Sequence, residues 1–168
     1  MRGEEKDGMK VGILADTHDN LPHIQWGLAV FRERGCEAII HAGDYVAPFA
    51  LKTVLGFPGR VYGVLGNNDG EREGLRKLMP GLDKGPLRVE LGGRKIVVIH
   101  ELEKLGEAER ARTDVVVCGH THLAEITAGK PLVINPGECG GWLTGRSTVA
   151  VLDTERVTAE LVDVRAWA

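Results

Sequence analysis

The chain has 168 residues, 43% of them apolar, which is enough for one domain with a core of its own. Lys and Arg number 21 against 24 Asp and Glu, a formal net charge of −3, and that balance argues against a surface built to hold nucleic acid as a tight partner. No run of about 18 uninterrupted apolar residues occurs, so no helical membrane span is expected.

Cys36, Cys118 and Cys139 are too few and too scattered for a disulfide framework, and no C-x-x-C is present. A reducing, cytoplasmic setting is the expectation. Residues 1–8 are polar, lack the apolar core of a signal peptide and read as a disordered extension ahead of a single domain over 9–168.

In chain order, residues 9–15 form an apolar strand ending at Asp16. Residues 21–34 carry Leu21, Ile24, Leu28 and Phe31 at helical spacing, with Gly35 as a stop. A strand over 37–42 leads to Gly43-Asp44, a helix covers 48–55, and a strand over 60–65 leads to Gly66-Asn67. A helix over 71–79 closes at Pro80-Gly81.

The pattern then changes. Strands 87–91 and 94–99 flank Gly92-Gly93, a two-residue hairpin signal. Residues 102–112 read as a short helix weakened by Gly106, followed by strands over 114–118 and 131–135. Residues 148–153 and 156–162 form a closing hairpin. The β-α-β-α-β first half favours parallel strands, and the second half is expected to be mostly antiparallel. The fold class is α/β: a two-sheet α/β sandwich flanked by helices.

The chemistry-bearing residues fall at the C-terminal ends of these strands, where open α/β sheets bind ligands. Asp16 and His18 follow the first strand, Asp44 the second and Asn67 the third; His100 ends the hairpin, and His120 and His122 follow strand 114–118. In Asp16-x-His18 and His120-x-His122, alternate residues of an extended segment point the same way and can grip one ion. Two carboxylates, one amide and four imidazoles suit Mn, Fe, Co, Ni or Zn rather than Mg or Ca, with Mn or Ni favoured.

His23 reads as a surface or interface residue and His41 as a structural histidine. Ser147, the only serine, sits in no nucleophile elbow, and neither a Walker A run nor G-x-G-x-x-G is present. Trp26, Trp142 and Trp167 suit either a core or the interface of a homo-oligomer.

The string Asp16-x-His18, Gly43-Asp44, Gly66-Asn67-x-Asp69, His100, Gly119-His120-x-His122 resembles the calcineurin-like metallophosphoesterase superfamily. It is most similar to the small, single-domain YfcE-like phosphodiesterase branch, and residues 134–138 and 141–145 share the likeness. The resemblance implies two divalent ions per chain. Asp16, His18 and His122 would hold one, Asn67, His100 and His120 the other, with Asp44 bridging. It makes Asp44, Asn67 and His120 catalytic, and implies attack of a metal-activated hydroxide on a small phosphodiester.

The departures are informative. Many relatives carry a histidine, taken as the general acid, where this chain has Asn68, and an amide donates no proton near neutral pH. Relatives usually have glycine after the histidine where this chain has Glu101. The rival reading is a metal-binding interaction scaffold like the retromer subunit of the superfamily.

Overall fold

Apolar runs rich in Val and Ile, too short for a buried helix, build the central strands. The computed structural model describes residues 8–168; residues 1–7, nearly all of the expected extension, lie outside the described residues. Strands β1 (Lys10–Leu14), β2 (Ala38–His41) and β3 (Arg60–Gly63) pair in parallel through helices α1 (Leu21–Glu33) and α2 (Pro48–Val54). Asn20 caps α1 by accepting from His23 N (3.4 Å), and Gly35 ends it at φ +71°. Helix α3 (Arg72–Leu78) follows β3.

β9 (Thr148–Asp153) and β10 (Thr158–Asp163) complete this sheet in the order β10-β9-β1-β2-β3. The second sheet has the order β4-β5-β6-β8-β7, from β4 (Leu87–Leu91), β5 (Arg94–Val98), β6 (Val115–Val117), β7 (Ala124–Thr127) and β8 (Leu132–Pro136).

Side-chain alternation assigns each face. Val11 and Ile13 of β1, with Ile40, Ala150 and Leu152, meet Ile96, Val98, Val115, Val117 and Ile134 of the other sheet, so the sandwich interior is dry and apolar. The opposite face of the first sheet, with Leu14, Ile39, Val149 and Val151, packs on Ile24, Leu28 and Phe31 of α1 and Leu51 and Val54 of α2. Each such buried aliphatic chain contributes about 1.5–3 kcal/mol relative to exposure. Two mixed five-stranded sheets with flanking helices are the expected α/β sandwich.

Antiparallel pairing predominates among the strands of the second half, as expected, but the centre of the second sheet, β5-β6-β8, is parallel. Hence all of its central strands deliver their C-terminal ends to one rim. The helix expected over 102–112 is a 3-10 turn (Leu102–Lys104) and a single turn, α4 (Glu107–Arg110), divided at Gly106, which is extended at φ −66° and ψ 150°. β7 was not expected: its mostly exposed Ala-Glu-Ile-Thr has no apolar pattern, and only its pairing with β8 makes it a strand. Trp26 and Trp167 pack against the helical core, whereas Trp142 is exposed.

Gly12 faces α1 beneath the Phe31 ring, where a Cβ would lie 2.5 Å from ring carbons. Gly12→Ala is therefore expected to destabilise the fold by about 1–3 kcal/mol through overpacking, although alanine is the stiffer residue. Urea denaturation midpoints measure this. Phe31→Leu in the same chain should cost less than additively; strict additivity would assign the loss elsewhere.

Candidate metal centre

Both sheets end at the same rim, and five strand ends meet there. β1 runs into Asp16 and His18, β2 into Asp44, β3 towards Asn67, β5 into His100, and β6 into His120 and His122. All seven residues singled out in the sequence come together.

They form a closed circuit of contacts. His122 Nε2 lies 3.5 Å from Asp16 Oδ1, and His18 Nε2 lies 3.8 Å from Asp16 Oδ1 and 3.4 Å from Asp44 Oδ2. Asp44 Oδ2 is 3.5 Å from His100 Nε2, which lies 2.9 Å from Asn67 Oδ1. Asn67 Oδ1 is 3.0 Å from His120 Nδ1, and His120 N donates back to Asp16 Oδ2 (3.0 Å). Asp44 thus sits between an Asp16, His18 and His122 group and an Asn67, His100 and His120 group.

The donor atoms fit a cation. One donor atom from each of Asp16, His18, Asp44 and His122 lies within 4.8 Å of the others. Asp16 Oδ1 and His18 Nε2 are buried with no hydrogen-bond partner, an expensive arrangement for polar atoms unless a ligand satisfies them. The ring orientations agree. His100 Nδ1 lies 2.7 Å from Ala42 O and His122 Nδ1 meets the Glu138 carboxylate, so each Nε2 is turned towards the cluster.

The backbone that delivers these groups is not extended, which corrects the expected geometry. Asp16, His18, Asp44, His120 and His122 have φ of +50°, +40°, +63°, +73° and +65°. Left-handed backbone is uncommon outside glycine and persists where packing over-determines it. Each Asp-x-His or His-x-His pair converges through two such turns rather than through strand alternation.

Two acids that sequence reasoning gave no role support the site. Asp69, 1% exposed, accepts from Asp44 N (2.9 Å), Val46 N (2.8 Å) and Gly66 N (2.8 Å). Glu138, also 1% exposed, accepts from Leu143 N (2.8 Å) and Thr144 N (2.9 Å) besides holding His122. Their signal was faint: Asp69 lay inside a quoted motif, and Glu138 followed Asn135-Pro136-Gly137. Asn68 turns inward, donating to Asp44 Oδ1 through its backbone (2.8 Å) and to Oδ2 through its amide (2.9 Å). Gly66 admits this contact, since a Cβ there would lie 2.1 Å from Asp44 Oδ1.

Charge follows geometry. Burial opposes ionisation of Asp44, but the adjacent His100 ring and the hydrogen bonds from Asn68 outweigh it and hold its pKa below the usual range. The Asp16 carboxylate raises the His18 pKa against burial, with Asp44 adding to it. Burial lowers the His100 pKa, yet Asp44 leaves it raised on balance. His41 is different. It is fully buried, its Nε2 meets Thr17 Oγ1 (3.0 Å), its Nδ1 accepts from Gly43 N (3.1 Å), and its ring stacks on Tyr45 at 3.8 Å. Desolvation pushes its pKa down to about 3, so it is a neutral structural histidine.

The family model of the calcineurin-like phosphoesterase superfamily domain matches residues 9–157. The chain belongs to that superfamily. Among relatives of this phosphoesterase-family chain, a phosphodiesterase of Methanocaldococcus jannaschii is 37% identical over 157 residues, covering 88% of this chain and 95% of the relative. A solved archaeal phosphodiesterase shares 36% identity at a TM-score of 0.82, over 92% of this chain and 99% of that one. The fold also recurs in the phosphoesterase YfcE of E. coli, with a TM-score of 0.66 and 22% identity over 93% and 100% of the two chains. Zinc-complexed Vps29 of Entamoeba histolytica shares it too, with a TM-score of 0.60 and 18% identity over 93% and 99%.

His41 yields a pH prediction. Below its ordinary pKa of about 6.5 the unfolded chain binds a proton at this ring, whereas the folded chain does not until about pH 3. Stability therefore falls as pH drops through that window, by about 2–3 kcal/mol between pH 7 and pH 4.5. Denaturant midpoints across this range should show a clearly flatter pH slope in His41→Gln than in the parent chain. Equal slopes would contradict the assignment.

Proposed function

We propose that this chain is a phosphodiesterase that works with two divalent transition-metal ions, Mn or Ni favoured and Fe, Co or Zn also suited. The observation that carries the reading is the pair of buried donors without partners, Asp16 Oδ1 and His18 Nε2, aimed into the cluster they share with Asp44 and His122. Asp16, His18 and His122 would hold one ion and Asn67, His100 and His120 the other, with Asp44 within reach of both groups. Bound there, the ions supply Lewis acidity towards the phosphoryl oxygens and an activated water.

The protein's own part is positioning. Asp44, kept ionised, offsets the repulsion between two cations, and Asn67 adds a neutral oxygen shared with His100 and His120. Glu138 and the Ala42 carbonyl fix the rings of His122 and His100. Neither buried cysteine nor the serine is placed as a competing nucleophile. The Cys118 and Cys139 thiols are buried and pushed up to about 12, and Ser147 is buried and bonded to Cys139 O. The phosphodiesterase relative supports a small phosphodiester as substrate. Three free cysteines support a reducing, cytoplasmic setting. The scaffold reading draws only on likeness of fold to Vps29.

Hydrolysis of bis-nitrophenyl phosphate should vanish on exhaustive chelation and return with Mn or Ni. At saturating metal, Asp44→Ala should lower kcat by at least about 1,000-fold, and Asn67→Ala by less, because a shared carboxylate serves both ions. Full activity in chelated, metal-free buffer, or equal losses in the two variants, would contradict the scheme.

Asn68 sets a second expectation. Its amide is committed to Asp44, and His41 is sealed in the core, so neither protonates a leaving group. General acids contribute roughly 100- to 10,000-fold. A plot of log kcat/KM against leaving-group pKa for aryl and alkyl diesters should therefore slope steeply downward. Asn68→His should help poor leaving groups more than good ones, and an unchanged ratio would refute this role of the position.

A further inference from the structure

A cavity of about 400 Å³ opens beside the candidate centre and shares Asn67 and His100 with it. Its wall is cationic in a chain whose formal net charge is −3. Arg72, Lys84 and Lys104 line it against one carboxylate, Glu101. Glu101 is already paired with Lys104 (2.9 Å). Arg72 is anchored through Nε to Asp69 O (2.9 Å), and its terminal nitrogens have no partner among the described residues. Lys84 Nζ has none there either. Leu65 N donates to Asp83 O (2.8 Å), which fixes the Lys84 segment beside Gly66-Asn67.

The flank beside His122 and His18 is more mixed: Leu123, Leu143 and Trp142, whose Nε1 donates to His18 O (3.0 Å), are exposed there, and Thr144, Arg146 and Asp163 line the surface next to His122. Isolated surface lysines are ordinarily solvated. Here two cations without a partner among the described residues line a concavity that shares two residues with the candidate centre, and an excess of one sign of charge along a cleft focuses its field on a bound anion.

We propose that this cavity is a subsite for a second phosphate group, so that the preferred substrates are phosphodiesters carrying a further phosphate on one substituent. The inference rests on the phosphodiesterase reading and adds a substrate class to it. Arg72 supplies planar, bidentate donors to that phosphate, and Lys84 a point charge. The other substituent lies towards Leu123, Trp142 and Leu143.

The test uses the full chain with saturating Mn and two chromogenic substrates, the nitrophenyl ester of thymidine 5′-phosphate with and without a 3′-phosphate. Both release the same leaving group, so their ratio reads the second phosphate alone. The 3′-phosphorylated substrate should show about tenfold higher kcat/KM, chiefly through KM, and the advantage should shrink with added salt. Arg72→Ala/Lys84→Ala should bring the ratio close to one, whatever its effect on turnover of bis-nitrophenyl phosphate, because the ratio compares two substrates in one variant. Lys84→Glu, which disturbs no bond to the Asp69 loop, should lower the ratio by itself. A ratio of one in the parent chain, or an unchanged ratio in both variants, overturns the proposal. Binding of thymidine 3′,5′-bisphosphate against thymidine 5′-phosphate, read by calorimetry, tests the pocket without turnover: tighter binding of the bisphosphate, lost in the variants, supports it, and equal binding overturns it. Loss of bis-nitrophenyl phosphate hydrolysis in the parent would instead strike the phosphodiesterase reading.

Discussion

The Asp44 loop and the loop after β3 are locked to each other in both directions. The Asp69 carboxylate accepts from the backbone of Asp44 and Val46, while the Asp44 carboxylate accepts from the backbone and side chain of Asn68. Each acid thus fixes the loop that carries the other. This reciprocal bond sets where the Asp44 oxygens lie, and the two halves of the cluster are arranged about them. It also demands glycine at Gly66, because any side chain would occupy the space of Asp44 Oδ1.

Such an arrangement is costly, and the two cores bear the cost. Five of the seven cluster residues have left-handed backbone, each at about 1–3 kcal/mol of local strain. Polar donors are buried there as well. Two dry layers, one between the sheets and one under α1 and α2, supply the rigidity that holds this geometry. Parallel pairing of β1, β2 and β3 in one sheet and of β5, β6 and β8 in the other directs the strand ends to a common rim. An antiparallel centre would have sent His100 and His120 to opposite ends.

Protonation is partitioned by environment. His41 lies three residues before Asp44 and is kept neutral by desolvation and by donors and acceptors on both nitrogens. His18 and His100 lie next to carboxylates that favour charge. A bound cation would take the place of those protons, which is how a donor cluster couples metal affinity to pH. Beyond the cluster, Arg72, Lys84 and Lys104 line a cationic cavity beside Asn67 and His100, whereas Trp142 is exposed next to His18.

The sequence by itself determined the strands and the identity of the cluster. Apolar runs such as 37–42 and 114–118 fix buried strands, and Asp, Asn and His directly after them are legible because strand ends are local features. It also put an amide at Asn68, the residue that the fold turns onto Asp44. Only the tertiary structure decided the rest. β7 exists because β8 offers it a partner, and 102–112 breaks because no apolar face spans Gly106. The left-handed turns, the grip of Glu138 on His122 and the meeting of Arg72 with Lys84 join residues far apart in sequence or bend the chain against local preference. Local patterns encode periodicity and turn chemistry, whereas convergence of side chains is set by how two sheets stack.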